Sequence, residues 1–225
     1  MERQFLISEE VKGVRGSKSK YLYSLFRSIC QVDKEYIQWT YYASTQKNER
    51  TLTEENHVEH VFAYELYHQW SNDEIIRKNP ELMINSELPK QLVDYDKGDV
   101  LYYPDMVLHI GQGNPDGNII VCEIKRKIYI DNNPTEMIND IKKIRLFLDV
   151  NSKAKLYKGW KPFKLGVFVA VVKEENMTND LSIEIISKHI NNEIKNIPED
   201  IKKRIFCVVY NGNKLLYDSL FNMTK

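Results

Sequence analysis

The stretch that decides the fold runs Tyr102-Tyr103-Pro104-Asp105-Met106-Val107-Leu108-His109-Ile110, then Gly111-Gln112-Gly113-Asn114-Pro115-Asp116-Gly117, then Asn118-Ile119-Ile120-Val121-Cys122-Glu123-Ile124-Lys125-Arg126-Lys127. Two apolar segments flank a cluster of Gly, Asn, Pro and Asp, a pattern that predicts a β-hairpin. A strand turns successive side chains to opposite faces, so Glu123 and Lys125 share a side and Ile124 points away from it. The hairpin would also bring Asp105 beside Glu123, although 17 residues separate them in the chain. Two carboxylates and an ammonium are costly to bury together unless something balances them. A hard divalent cation with oxygen ligands, Mg²⁺ first, would do so.

Pro104-Asp105 and Glu123-Ile124-Lys125, placed on neighbouring predicted strands, resemble the motif of the PD-(D/E)xK nuclease superfamily, the restriction-endonuclease-like enzymes. The resemblance extends over roughly residues 54 to 172. It implies an α/β fold with a restriction-endonuclease-like core of helix, three strands, helix and strand, that is, a mixed sheet flanked by helices. The implied activity is metal-dependent hydrolysis of phosphodiester bonds, in DNA rather than RNA, with Mg²⁺ as cofactor and Mn²⁺ as a substitute. Asp105, Glu123 and Lys125 would be the catalytic residues. Asp105 and Glu123 would bind the metal, joined by the main-chain carbonyl of Ile124 and by Glu65 of the first core helix. Lys125 would either hold the attacking water as an ammonium or, with a depressed pKa, act as a base. Lys143, on the helix after the motif, would approach the scissile phosphate. Its i,i+3 partner Asp140 also allows a plain surface ion pair.

Around this hairpin the periodicity predicts the other elements. Leu22, Leu25, Phe26 and Ile29 recur at helical spacing in an aromatic-rich N-terminal segment, read as a helical appendage over residues 1–52. The nuclease-like domain is expected over 53–225. Thr53-Glu54-Glu55-Asn56 supplies a helix start, and Val58, Val61, Phe62, Leu66 and Gln69 trace one face of a helix ending near Trp70. Glu65 falls on that same face, three residues after Phe62 and four after Val61, either as a ligand or as an edge residue reaching water. Strands are expected at Leu82–Leu88, Val100–Ile110, Asn118–Ile128 and Leu165–Val172, the last apolar on both faces and therefore central. Between the third and fourth, Pro134 opens a helix carrying Met137, Ile141, Ile144 and Leu148. A helix through Ile183, Ile186, Ile190 and Ile194 and a terminal hairpin about Asn211-Gly212-Asn213 complete the order.

At 225 residues, 42% hydrophobic and 28% charged, the composition is that of a globular protein, and the longest apolar run is far too short for a bilayer span. Met1-Glu2-Arg3-Gln4 lacks the apolar core of a secretory signal, so a cytoplasmic location with no membrane partner is expected. Three widely spaced cysteines, Cys30, Cys122 and Cys207, read as reduced core residues. Lys plus Arg equals Asp plus Glu at 32 each, so net charge argues nothing about polyanions. Local charge does: no acidic residue occurs from Asn151 to Val172, where lysines alternate with Tyr157, Trp160 and Phe163. Lys155, Lys158 and Lys161 there, with Arg126 beyond the motif, are candidate nucleic-acid contacts. His109 shares a predicted strand face with Asp105, and a hydrogen-bonded structural role is its first reading. A homodimer through the N-terminal helices would place two sites on one duplex. The chief alternative function is a nucleic-acid-binding or assembly protein that keeps the fold without cleaving. A third reading is an α/β interaction module in which Asp105 and Glu123 lie far apart.

Overall fold

A computed structural model of the chain describes residues 17–38, 54–86, 90–94, 98–111, 117–149, 154–156, 161–172 and 182–225. Helix α1 (Ser17–Gln31) and the turn α2 (Glu35–Gln38) precede the long helix α3 (Glu54–Asn72) and the turn α4 (Glu74–Arg77). Five strands follow: β1 (Leu82–Ser86), β2 (Lys90–Asp94), β3 (Gly98–Tyr102), β4 (Met106–Ile110) and β5 (Asn118–Arg126). Next come α5 (Lys127–Asn132), α6 (Pro134–Leu148), β6 (Ala154–Leu156) and β7 (Leu165–Val171). Three single turns, α7 (Glu184–Ser187), α8 (Asn192–Lys195) and α9 (Glu199–Lys202), lead to β8 (Ile205–Tyr210), β9 (Leu215–Ser219) and α10 (Leu220–Met223).

The main sheet has six strands in the order β1-β4-β5-β7-β8-β9. Antiparallel pairing joins β1 to β4, β4 to β5 and β8 to β9, whereas β5, β7 and β8 run parallel. The fold is therefore α/β, with an open mixed sheet flanked by helices. Parallel neighbours need a crossover, and α6 supplies it between β5 and β7. A second sheet, β3-β2-β6, is inserted between β1 and β4 and completed after α6.

Pro104 has no N–H to give a ladder and holds the residue before it extended. The run Val100–Ile110, expected as one strand, is accordingly split: Tyr102 ends β3 in the small sheet and Met106 opens β4 in the large one. Strand β5 stops at Arg126 because the chain coils into α5 at Lys127. The helix expected through Ile183 to Ile194 is interrupted: the Asn191 side chain caps a fresh turn by accepting from the Ile194 N–H at 3.1 Å.

Alternation along the strands divides the core into two layers. Met106, Leu108, Ile120, Cys122 and Ile124 lie under α1 and α3 with Leu22, Leu25, Phe26, Ile29, Phe62, Leu66 and Trp70. Val107, Val121, Phe168 and Ala170 lie under α6 with Met137, Ile141, Ile144, Phe147 and Leu148. Each such side chain contributes roughly 1.5–3 kcal/mol by leaving water, and Ile144→Ala would cost about 2–5 kcal/mol. The described part of the N-terminal segment, expected as an appendage, thus shares a layer with α3 and the strands. Tyr210 fastens it further, its hydroxyl donating to the Cys30 and Val32 carbonyls at 3.3 and 2.9 Å.

Where α6 crosses β7 it rests on Gly166, at which an added Cβ would overlap Cγ2 of Ile144 and press on Leu148. The three cysteines are buried and form no disulfide. Among the described residues no helix is long and apolar enough to cross a membrane.

Candidate metal centre and active site

Register in the β4–β5 hairpin sets Met106 opposite Cys122, and Asp105, directly before β4, comes near enough to Glu123 for its charge to act on the Glu123 carboxyl. Val121 belongs to the layer under α6, and Cys122 and Ile124 to the opposite layer. Glu123 and Lys125, in phase with Val121, therefore face α6. Helix α6 answers with Glu136, Asp140 and Lys143, spaced four and three residues apart and hence on one helix face. From the other side of the sheet α3 contributes Glu59, whose Oε1 accepts from the Arg126 main-chain N–H at 3.0 Å.

The carboxylates of Asp105 and Glu123 are held differently. Asp105 Oδ2 accepts from the Ile124 main-chain N–H at 2.6 Å. Burial nevertheless pushes the Asp105 carboxyl up to about 6, outweighing the pull of that N–H and of the Lys143 charge. Glu123 is only 1% exposed. Its Oε2 meets Lys143 Nζ at 2.7 Å, while its buried Oε1 has no hydrogen-bond partner. Burial first, and then the negative charge of Asp105, raise the Glu123 carboxyl well above its ordinary range.

Lys125 lies 3.6 Å from Glu136, 3.6 Å from Asp140 and 3.8 Å from Glu59. Burial alone would lower its pKa, but Asp140, Glu59 and Glu136 together reverse the direction and the net shift is upward. Lys143 behaves likewise: burial lowers its pKa, and Glu123 and Asp140 more than restore it. Both side chains are thus held as ammonium ions. For Glu59 and Asp140 the largest influence is burial, which raises each carboxyl despite the Arg126 N–H and the Lys125 charge respectively.

Five carboxylates, those of Glu59, Asp105, Glu123, Glu136 and Asp140, are thereby gathered around two ammonium groups. Such an excess, with one carboxylate oxygen buried and unpartnered, favours a further cation. Among the described residues no group of three or more His, Cys, Asp or Glu side chains forms a ready-made metal cage. That does not disqualify Mg²⁺, which is commonly held by one or two carboxylates and completes its octahedron with water and substrate phosphate. Asp105 and Glu123 fit that kind of site in donor type and number.

Other expected residues fall elsewhere. Glu65 is engaged on its own helix: Oε1 accepts from Gln69 Nε2 at 2.6 Å, and Oε2 lies 3.6 Å from His68 Nδ1. The α3 carboxylate that reaches the cluster is Glu59. A signal for it existed, because Glu59 stands three residues before Phe62 and four before Ala63, in line with the buried Phe62, Leu66 and Trp70. A stripe drawn through Val61 and Gln69 is rotated away from that face. His109 is structural: a register shift between Leu108 and His109 breaks the alternation, and its Nε2 lies 2.5 Å from Asn85 Oδ1. Arg126 is partly buried, and Lys161 is exposed with its carbonyl accepting from Asn118 Nδ2 at 2.6 Å. Lys155 belongs to β6 opposite Val93, its side chain lying outside the described part, and Lys158 lies outside the described residues.

Comparison of the chain with protein-family models, with curated proteins and with solved structures found no match.

Proposed function

We propose that this chain is a metal-dependent nuclease of restriction-endonuclease-like architecture that hydrolyses phosphodiester bonds, in DNA before RNA. The observation that carries this reading is an acid-rich cluster in which Asp105 is bonded to the Ile124 N–H beside Glu123, and the Glu123 Oε1 is buried and unpartnered. Support comes also from the order of elements, α3, β1, β4, β5, α6 and β7, with Pro104-Asp105 directly before β4 and Glu123-Ile124-Lys125 on the neighbouring β5.

Asp105 and Glu123 would hold Mg²⁺, with the Ile124 carbonyl as a further oxygen and Mn²⁺ as a substitute. Bound there, the ion would lower the pKa of a coordinated water and offset charge on the phosphoryl oxygens. Lys125 has kept its proton under the influence of three carboxylates, so its part is to orient the nucleophile and stabilise negative charge rather than to abstract a proton. Lys143, on the α6 face turned to Glu123, would meet a phosphate oxygen. Glu59, Glu136 and Asp140 fix Lys125 through charge and act as positioning residues.

One observation favours a second reading. The Lys143 ammonium already neutralises one oxygen of Glu123, so the fold has an internal counter-ion and is compatible with a protein that binds nucleic acid without cutting it. Incubation of the purified protein with supercoiled, linear and single-stranded DNA and with RNA, in Mg²⁺ or Mn²⁺, separates the two. Cleavage that both Glu123→Ala and Lys125→Ala abolish is the expected result. Binding without cleavage by the parent protein would establish the second reading instead.

A further inference from the structure

A small cleft adjoins the acidic cluster on its α3 side. It is lined by Glu59, His60, Ala63 and Tyr64 of α3 together with Ser86, Asp105 and Ile124. Tyr64 is 59% exposed, an uncommon position for so large an apolar ring, and the His60 ring stacks alongside it with centroids 6.5 Å apart and planes 28° apart. Tyr103, two residues before Asp105, is 50% exposed, and Tyr67, one turn of α3 beyond Tyr64, is 39% exposed. His60 and Tyr64 thus bring ring surface to the cleft that Asp105 also lines.

Charge decides what can enter. Two carboxylates, Glu59 and Asp105, line the cleft and repel a phosphate group, whereas the cationic side chains Lys125 and Lys143 lie on the α6 side of the cluster. A strand crossing the site would lay its backbone toward the lysines and turn a neutral flat heterocycle toward Tyr64 and His60. Bases inside a duplex are already stacked on one another and have no free face to offer; an unpaired base has two.

Resting on the nuclease reading, we propose that the cleft is a stacking subsite for an unpaired base, and that the substrate class is single-stranded nucleic acid or duplex with an unpaired segment. Tyr64 is its platform. The probes are a fluorescein-labelled oligothymidylate strand, the same length of perfect duplex, and a strand of equal phosphate number with abasic positions, titrated against the whole chain without divalent metal. Tyr64→Ala is expected to weaken oligothymidylate binding by about tenfold, the scale of removing one base–aromatic stack. Tyr64→Phe keeps the ring and is expected to bind as the parent does. Abasic strand and duplex should bind parent and Tyr64→Ala alike, and the exposed substitution should leave thermal unfolding unchanged. Equal loss on abasic strand, or no loss on oligothymidylate, overturns the subsite. The cleavage assay is read separately: cleavage by the parent combined with unaltered oligothymidylate binding by Tyr64→Ala defeats the subsite alone. A parent that cleaves nothing while Tyr64→Ala shows the selective loss upholds the subsite and defeats the nuclease reading alone.

Discussion

Two charged clusters in this protein differ in how completely they are satisfied. In the first, Asp73 accepts from the Ser24 hydroxyl at 2.8 Å, from Arg27 Nε at 2.8 Å and from the Ile75 N–H at 2.9 Å, while Trp70 Nε1 donates to Ser24 at 3.1 Å. The Arg27 Nη2 also reaches Asp73, at 2.6 Å. Donors and acceptors match, and the cluster ties α1 to α3 and α4. In the second, five carboxylates surround two lysines, Lys125 stands 3.6, 3.6 and 3.8 Å from Glu136, Asp140 and Glu59, and Glu123 keeps an unpartnered oxygen. The first arrangement is what a buried charge needs for stability; the second leaves an excess of carboxylate that a further cation would balance.

The sharpest way to break this comparison is to exchange the consequences. Glu123→Ala is expected to lower cleavage about a thousandfold or more, the scale of losing charge stabilisation at the reacting centre; Glu123→Gln, which retains the shape, should leave the melting temperature of the metal-free protein unchanged or higher. Asp73→Ala should do the reverse. Losing the α4 cap and stranding Arg27 and Ser24 is expected to cost about 3 kcal/mol in denaturant unfolding, with cleavage per folded molecule unaltered. An Asp73 variant that is fully stable yet inactive would erase the distinction.

Acidity sharpens it further. Asp105 binds its proton more tightly folded, at about 6, than unfolded, at 3.8. Its contribution is therefore most favourable below about pH 4 and is lost as pH rises through 6, by on the order of 3 kcal/mol at neutrality. Asp105→Asn should remove that slope from the stability profile measured without metal, and a parent and variant with parallel profiles would contradict the assignment. Mg²⁺ acts in the opposite sense: at ten times its dissociation constant it should stabilise the parent by about 1.4 kcal/mol, and the Glu123→Gln protein hardly at all. The smallest effect concerns the basic segment. Replacing Lys155, Lys158 and Lys161 should reduce the slope of log binding constant against log salt by about one for each of these lysines that meets a phosphate; an unchanged slope removes that segment from the nucleic-acid surface.

Much of the half built from the β4–β5 hairpin and α6 was legible in the sequence because it is local. The hairpin follows from turn residues between two apolar runs, the α6 face from Met137, Ile141 and Ile144 at helical spacing, and the central place of β7 from its unbroken apolar run. The small sheet was not legible, since a run such as Val100–Ile110 carries no information about which partner each half will choose; only Pro104 marks the division. Choosing Glu65 over Glu59 had a similar cause. Helix α3 is apolar around much of its girth, so several stripes fit the same residues, and the true one is settled by packing on β5 and α1 rather than by spacing. Asp140 read as a surface ion pair because an i,i+3 spacing to Lys143 explains both residues locally; that they also embrace Lys125 and Glu123 needs the sheet.

Gly166 carries a consequence well away from these charges. Because α6 lies directly on it through Ile144, the neighbour of Lys143, the missing side chain sets how deeply the helix seats. An alanine there would act as a shim. Introduced on an uncharged strand beneath the helix, a single methyl would lift the α6 lysine away from the β5 glutamate and detune the centre without touching any group that takes part in it.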